Sequence, residues 1–223
     1  MNILIFGATG MVGQGVLRQC LLDPEVQQVL TIGRSAGRNR TGIDSPKLHE
    51  LVHPNLWDYS TIESSLLNFD ACFFCLGVTS TGMTEAEYAR VTLGIPVAAA
   101  ETLARLNPKM TFIFVSAVGA DGSEKGKLMW ARVKGKAENS ILQLPFHGYV
   151  FRPAAIQPSH GEQSRTTSYR ILYTLTKPIL PLLRKIIPAY VTSTEQIGRA
   201  MLSVAKRRIS RRILESKDIN EVV

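Results

Sequence analysis

Ile3, Leu4, Ile5 and Phe6 form a short apolar run that stops at a glycine, and the chain then reads Gly7-Ala8-Thr9-Gly10-Met11-Val12-Gly13. Four apolar residues are too few for a helix and match a strand buried on both faces. Beyond Met11 the apolar positions Val12, Val16, Leu17, Cys20 and Leu21 recur at helical spacing, until Asp23-Pro24 stops the pattern. The three glycines therefore lie between a strand and a helix. In that setting the first glycine takes backbone angles denied to other residues, the second lets a ligand reach the main chain, and the third lets the helix pack closely. The helix start offers unpaired N–H groups to an anion, so Gly7, Thr9, Gly10, Met11, Val12 and Gly13 are candidate pyrophosphate-binding residues.

The rest of the chain keeps alternating. Strands are expected over 28–32, 48–52, 71–76, 111–116 and 149–151, with a late one over 212–215. Ser60 with Glu63 predicts a capped short helix ending near Phe69, and Thr84 with Glu87 a long one running to about Leu106, where Asn107-Pro108 ends it. Further helices are expected over 127–142 and, capped by Thr192 with Glu195, through Ala205. This order calls for an α/β fold with a doubly wound parallel sheet covered on both faces, the Rossmann arrangement, plus a small C-terminal helical lid region. With 223 residues the expected unit is one domain over 1–223. Composition changes beyond Arg152-Pro153, and 155–192 reads as a substrate-side lid or an interface. Pro178, Pro181 and Pro188 and four basic residues interrupt its apolar part, which falls well short of the roughly 20 residues of a membrane span. A weak contact with a membrane surface is the membrane role left open.

The net charge of +8 gathers in two places, Arg34, Arg38 and Arg40, and then Lys206, Arg207, Arg208, Arg211 and Arg212. The second group lacks the interleaved aromatics of single-strand binders and reads as a solvated face, so no nucleic-acid partner is expected. Cys72 and Cys75 form a C-x-x-C, but on a strand their side chains point to opposite faces, so no redox pair is expected. Four scattered histidines show no ligand spacing, and no metal site is expected. No secretory pattern is visible, and the cytoplasm is the expected compartment.

Cofactor choice is set where the second strand ends, because an acidic residue there binds the adenosine ribose of NAD. Here the end reads Thr31-Ile32-Gly33-Arg34-Ser35, without a carboxylate. Arg34 can donate two hydrogen bonds to a 2′-phosphate, with Ser35 and Arg38 assisting, so NADP(H) is expected rather than NAD. Asp58 is placed either to meet the adenine edge or to start a helix.

With this glycine loop, Arg34, Asp58, Cys75-Leu76-Gly77, Ser116, Lys134 and Phe151-Arg152-Pro153 in order, the chain resembles the short-chain dehydrogenase/reductase family over roughly 1–215. It is most similar to atypical members of the branch that holds the Tat-interacting-protein oxidoreductases and epimerase-like proteins. The resemblance implies Leu76, Gly77, Lys134 and Pro153 as further cofactor contacts. It also implies a catalytic serine, at Ser116, and a tyrosine four residues before a lysine, Lys134. The tyrosine position is Trp130, whose indole N–H is no usable general acid near neutral pH. Proton delivery falls to water, to Lys134, or to another tyrosine such as Tyr169 or Tyr173. Two readings follow: an NADP(H)-dependent oxidoreductase or epimerase-like enzyme on a small carbonyl or alcohol, monomeric or homodimeric, and a non-catalytic dinucleotide-binding or redox-sensing protein acting through a protein partner.

Overall fold

A computed structural model describes residues 1–35, 39, 41–162 and 190–223. Nine strands are present among them: β1 (Asn2–Phe6), β2 (Gln28–Gly33), β3 (Leu48–Val52), β4 (Ala71–Phe74), β5 (Thr111–Val115), β6 (His147–Arg152), β7 (Ala155–Gln157), β8 (Val191–Ser193) and β9 (Ile213–Glu215). Seven form one parallel sheet in the order β3-β2-β1-β4-β5-β6-β9, and β7 pairs with β8 in a small second sheet. The helices are α1 (Met11–Leu22), α2 (Glu85–Ala89), α3 (Ile95–Leu106), α4 (Met129–Leu142), α5 (Thr194–Arg207) and α6 (Ser216–Glu221). This is the expected Rossmann architecture. Most of the segment assigned to a lid, and with it Tyr169 and Tyr173, lies outside the described residues, as do Arg38 and Arg40.

The central strands are apolar throughout because both faces are covered. Ile3, Ile5, Phe73, Ile113 and Phe151 face α1 and α5, where Val16, Cys20, Ile197 and Met201 meet them. On the other face a row of rings crosses the sheet: Phe6 stacks on Phe74 at 5.1 Å, Phe74 on Phe112 at 6.1 Å, and Phe112 on Phe146 at 5.2 Å. Cys72 belongs to this second face and Cys75 packs on the first, as strand alternation requires. Glycines set the distance between α1 and α5. A Cβ on Gly15 would lie 2.5 Å from Thr194 Cβ, and one on Gly198 would lie 2.7 Å from Gln19 Cγ.

Three capping expectations meet different outcomes. Thr84 and Glu87 do form a reciprocal capping box, but the helix it opens is interrupted by a π turn, Arg90–Gly94, before α3. Ser60–Leu66 is a 3-10 helix without a side-chain cap, because Glu63 turns outward to pair with Arg105. At α5 the cap is Ser193, whose hydroxyl accepts from the Gln196 N–H at 3.1 Å, while Thr192 is buried in β8.

The C-terminal basic group is exposed, as a solvated face requires, and four of its five side chains also make specific contacts. Lys206 holds Asp23 at 2.8 Å and Glu25 at 2.7 Å, and Arg211 pairs with Asp218. Arg212 donates to the Leu142 carbonyl at the end of α4 and to that of Gly148, and Arg208 to that of Lys109. These side chains close helix and strand ends, where unpaired carbonyls need donors.

The glycine contacts between α1 and α5 yield a direct expectation. Gly15→Val should lower stability by roughly 1–3 kcal/mol, the usual range for overpacking. A urea melt with an unchanged midpoint would show that the two helices can part at no cost.

Candidate functional site

The strand order turns around between β1 and β4, and the loops that follow these strands border a cleft of about 560 Å3. In open α/β sheets this reversal point, at the C-terminal ends of the strands, is where ligands sit. Gly7 has φ +76°, and a Cβ there would lie 2.6 Å from the Leu76 amide nitrogen. A Cβ on Gly13 would lie 2.1 Å from the Gly7 carbonyl oxygen. Both positions exclude any side chain. Gly10 differs, because its Cβ would meet only that same oxygen, at 3.3 Å, so what it leaves open is the cleft. Gln14, buried one turn into α1, donates to the Thr9 carbonyl at 3.0 Å and holds the loop in place.

No side chain caps α1, and its first turn has no acidic residue. A cradle open at Gly10 beneath uncapped helix N–H groups fits a pyrophosphate. Gly7, Thr9 and Gly10 line the cleft, and Met11, Val12 and Gly13 form the first turn of α1 behind it.

Arg34 and Ser35 line the far end of the cleft, past β2, and Arg34 makes no hydrogen bond or ion pair among the described residues. Glu50 lines it too, on β3 opposite Thr31. Leu56, Trp57, Val91 and Ile95 complete this end on the other face of the sheet. Asp58 is absent from the lining: its carboxylate accepts the Ser60 N–H at 2.9 Å, which holds it below the ordinary carboxylate range.

Leu76 and Gly77 border the middle of the cleft. One strand further on, past β5, the Ser116 hydroxyl donates to Glu138, and Glu138, 1% exposed, takes a bidentate contact from Arg152 at 3.1 Å from Nε to each oxygen. Glu215 approaches the same guanidinium at 3.5 Å. Lys134 lies one turn before Glu138 on α4. Among the described residues its ammonium has no hydrogen bond or ion pair, and its Nζ lies 5.9 Å from the centre of the Phe114 ring. Burial pushes its pKa down to about 8, against the opposing pull of Glu138. The Trp130 indole packs over Gly119, φ +83°, where a Cβ would lie 3.3 Å from the ring. The Pro153 carbonyl accepts the Val118 N–H at 3.2 Å, tying the loop after β5 to the end of β6. Ser116, Lys134, Trp130 and Pro153 thus share the β5–β6–α4 corner, next to the cleft and outside its lining. His160 stands elsewhere, 3.2 Å from Glu195.

Sequence reasoning missed Trp57, Val91 and Ile95, which look like ordinary core residues, and Glu138, which looks like a surface glutamate in the middle of a helix. Its spacing of four from Lys134 was the one available signal.

A profile of the NAD dependent epimerase/dehydratase family matches residues 3–131. "Protein FMP52, mitochondrial" of Candida albicans is 26% identical over 167 residues, 72% of this chain and 71% of the relative. "Protein FMP52-2, mitochondrial" of Scheffersomyces stipitis is 26% identical over 212 residues, 92% of this chain and 87% of the relative. These relatives overturn the cytoplasmic expectation, since a missing secretory pattern says nothing about which compartment inside the cell is used. Among solved structures, the Bordetella bronchiseptica enzyme WbmF in complex with NAD+ superposes with TM-score 0.68 at 13% identity, covering 99% of this chain and 76% of that one. DesIV, a dTDP-glucose 4,6-dehydratase from Streptomyces venezuelae with NAD and TYD bound, gives 0.67 at 13% identity over 96% and 75%. At such identities the likeness establishes the fold.

Lys134 carries a pH signature. Below about pH 8 the folded and unfolded chains both hold its proton, and the folded chain bears the burial penalty; between about 8 and 10.5 only the unfolded chain holds it. Stability should therefore rise with pH through that window. Lys134→Met should be more stable than the parent at pH 7 by about 1–2 kcal/mol, with the advantage shrinking as pH climbs. Denaturant melts across that range check both the sign and the window.

Proposed function

The chain belongs to the NAD dependent epimerase/dehydratase family, and from that premise we propose that it is an NADP(H)-dependent oxidoreductase acting on a small carbonyl or alcohol. The observation that carries the reading is the cleft itself. It begins on a glycine cradle under an uncapped helix and ends, where β2 stops, on a serine and an arginine with no hydrogen bond or ion pair among the described residues. Gly7 and Gly10 with the first N–H groups of α1 hold the pyrophosphate, and Arg34 with Ser35 takes the 2′-phosphate. The bound dinucleotide supplies hydride transfer.

The chain's own task is then the proton. Trp130 cannot exchange one, and it is occupied in packing on Gly119. Ser116 has a single hydroxyl proton and donates it to a buried carboxylate, so toward a ligand it offers lone pairs. Among the described residues Lys134 is then the donor of choice: an ammonium without a hydrogen bond or ion pair there, one turn from Trp130, with a pKa lowered by burial to about 8. Lys134 Nζ hands that proton to the carbonyl oxygen in reduction and takes it back from the alcohol in oxidation. The printed names of the relatives support the mitochondrion as the compartment in which the chain works.

The engagement of Ser116 with Glu138, together with Trp130, also supports the second reading, a dinucleotide-binding protein that acts through a protein partner. Titration and turnover separate the two. NADPH should bind at least tenfold more tightly than NADH, and Arg34→Ala should remove most of that preference, as expected for a charge-assisted contact of about 1.5–3 kcal/mol. Equal affinities in the parent protein would sink the role of Arg34. NADPH oxidation against a panel of aldehydes, ketones and quinones should be lost in Lys134→Ala, whereas tight binding with no turnover by the parent favours the partner-directed reading.

A further inference from the structure

The adenosine end of the cleft divides into two chemically different sides. Thr31 and Glu50 are register partners on the α1 side of the sheet, and Leu51, opposite Ile32, points to the α3 side. On that second side the cleft is walled by Leu56, Trp57, Val91 and Ile95, with no carboxylate among them. Asp58, next to Trp57 in sequence, is turned to the Ser60 N–H. The wall is built around an aromatic ring and not around a hydrogen-bonding group.

That ring is held from two directions. Trp57 Nε1 donates to the Arg90 carbonyl at 2.9 Å, and the Arg90 guanidinium sits 5.0 Å from the centre of the indole. Arg90 opens the π turn, Arg90–Gly94, and the same turn contributes Val91 to the wall, with Ile95 following at once. A π turn shifts the side chains after it relative to a regular helix, and such turns concentrate at functional sites. Here the shift accompanies a wall that closes on one side of the indole while 37% of Trp57 stays exposed.

We propose that Trp57 is the platform on which this chain takes the adenine of its dinucleotide, by aromatic and apolar contact, without reading the hydrogen-bonding edge of the base. The inference rests on the dinucleotide reading above and deepens it. The glycine cradle fixes the pyrophosphate, the end of β2 fixes the adenosine ribose, and the base extends from there along the loops after β3. On the α3 side of that path stands Trp57. Base–aromatic contact is tolerant of base identity because every base has a π face. Among the described residues, the wall side chains Leu56, Val91 and Ile95 carry no polar group, and the Trp57 N–H is spent on the Arg90 carbonyl, so none of these four distinguishes the 6-amino group of adenine from the oxygen of hypoxanthine.

The test uses the whole protein and binding alone. Adenosine 2′,5′-bisphosphate, which lacks nicotinamide, should quench the tryptophan emission of the parent, and the quenching should largely vanish in Trp57→Phe, which keeps Trp130. Affinity for that probe should fall about tenfold or more in Trp57→Ala and change less than about threefold in Trp57→Phe, since stacking follows the ring. NADPH and its hypoxanthine analogue should bind the parent within about threefold of each other. A parent that discriminates between these two by tenfold overturns the proposal, whether or not the alanine variant folds, and so does quenching that persists in Trp57→Phe. Failure of the parent to bind the bisphosphate or NADPH at all removes instead the dinucleotide reading on which this rests.

Discussion

Everything at the functional end of this molecule depends on one backbone-to-backbone contact, the meeting of Gly7 with Leu76 on one side and with Gly13 on the other. The sheet brings β1 and β4 side by side, and the chain leaving β1 must turn under α1 within a few residues. That turn fits only if two side chains are missing. Any Cβ at Gly7 or Gly13 falls inside the radius of a main-chain atom, so α1 would have to lift off the sheet. Were it to lift, its uncapped N–H groups would no longer point into the cleft. Packing and the opening of the cleft are thus the same constraint met at two neighbouring atoms.

The parts of this arrangement that can be read from sequence are those whose cause is local. Ile3 to Phe6 and Thr111 to Val115 announce themselves as strands because both faces are buried and no polar residue interrupts them. The glycine loop is legible because its requirement is steric and therefore absolute. The Thr84 and Glu87 box reads correctly because both partners lie within one turn. Ser60 and Glu63 show the same letters and mislead, since Arg105, 42 residues on, claims the glutamate. A cap read from spacing holds only where no distant charge competes for it. Trp57 is illegible for a related reason: its role comes from a π turn more than 30 residues later, and no sequence period marks an extra residue in a helix.

Charge shows the same division between local and distant causes. The C-terminal cluster looks like a single basic patch in sequence, yet four of its five members, all but Arg207, turn to different carbonyls and carboxylates, on α4, on the turn before β5, on the end of α1 and on α6. Its positive charge stitches the last helices to the sheet. Arg34 carries the same formal charge and has no such partner among the described residues. The distinction that matters for binding is between cations the fold uses and cations it leaves over, and it is set by contacts far apart along the chain.

The corner formed by β5, β6 and α4 then poses the chemical question most sharply. Glu138 is almost wholly buried, and a buried carboxylate is tolerable only when its charge is matched and its lone pairs are filled. Arg152 supplies the charge and two donors, Nε and Nη2, and the Ser116 hydroxyl supplies a third. Removing the serine's proton from that arrangement would leave an oxygen of Glu138 short of a donor in a dry site, so the hydroxyl stays turned inward. The serine is therefore part of the scaffold's electrostatics before it is part of any reaction. Lys134, next to the same carboxylate but not bound to it, keeps a proton that burial has loosened. Among the described residues at this corner, the serine's hydroxyl is committed to Glu138, the tyrosine position holds an indole, and the proton that burial loosens is on a lysine.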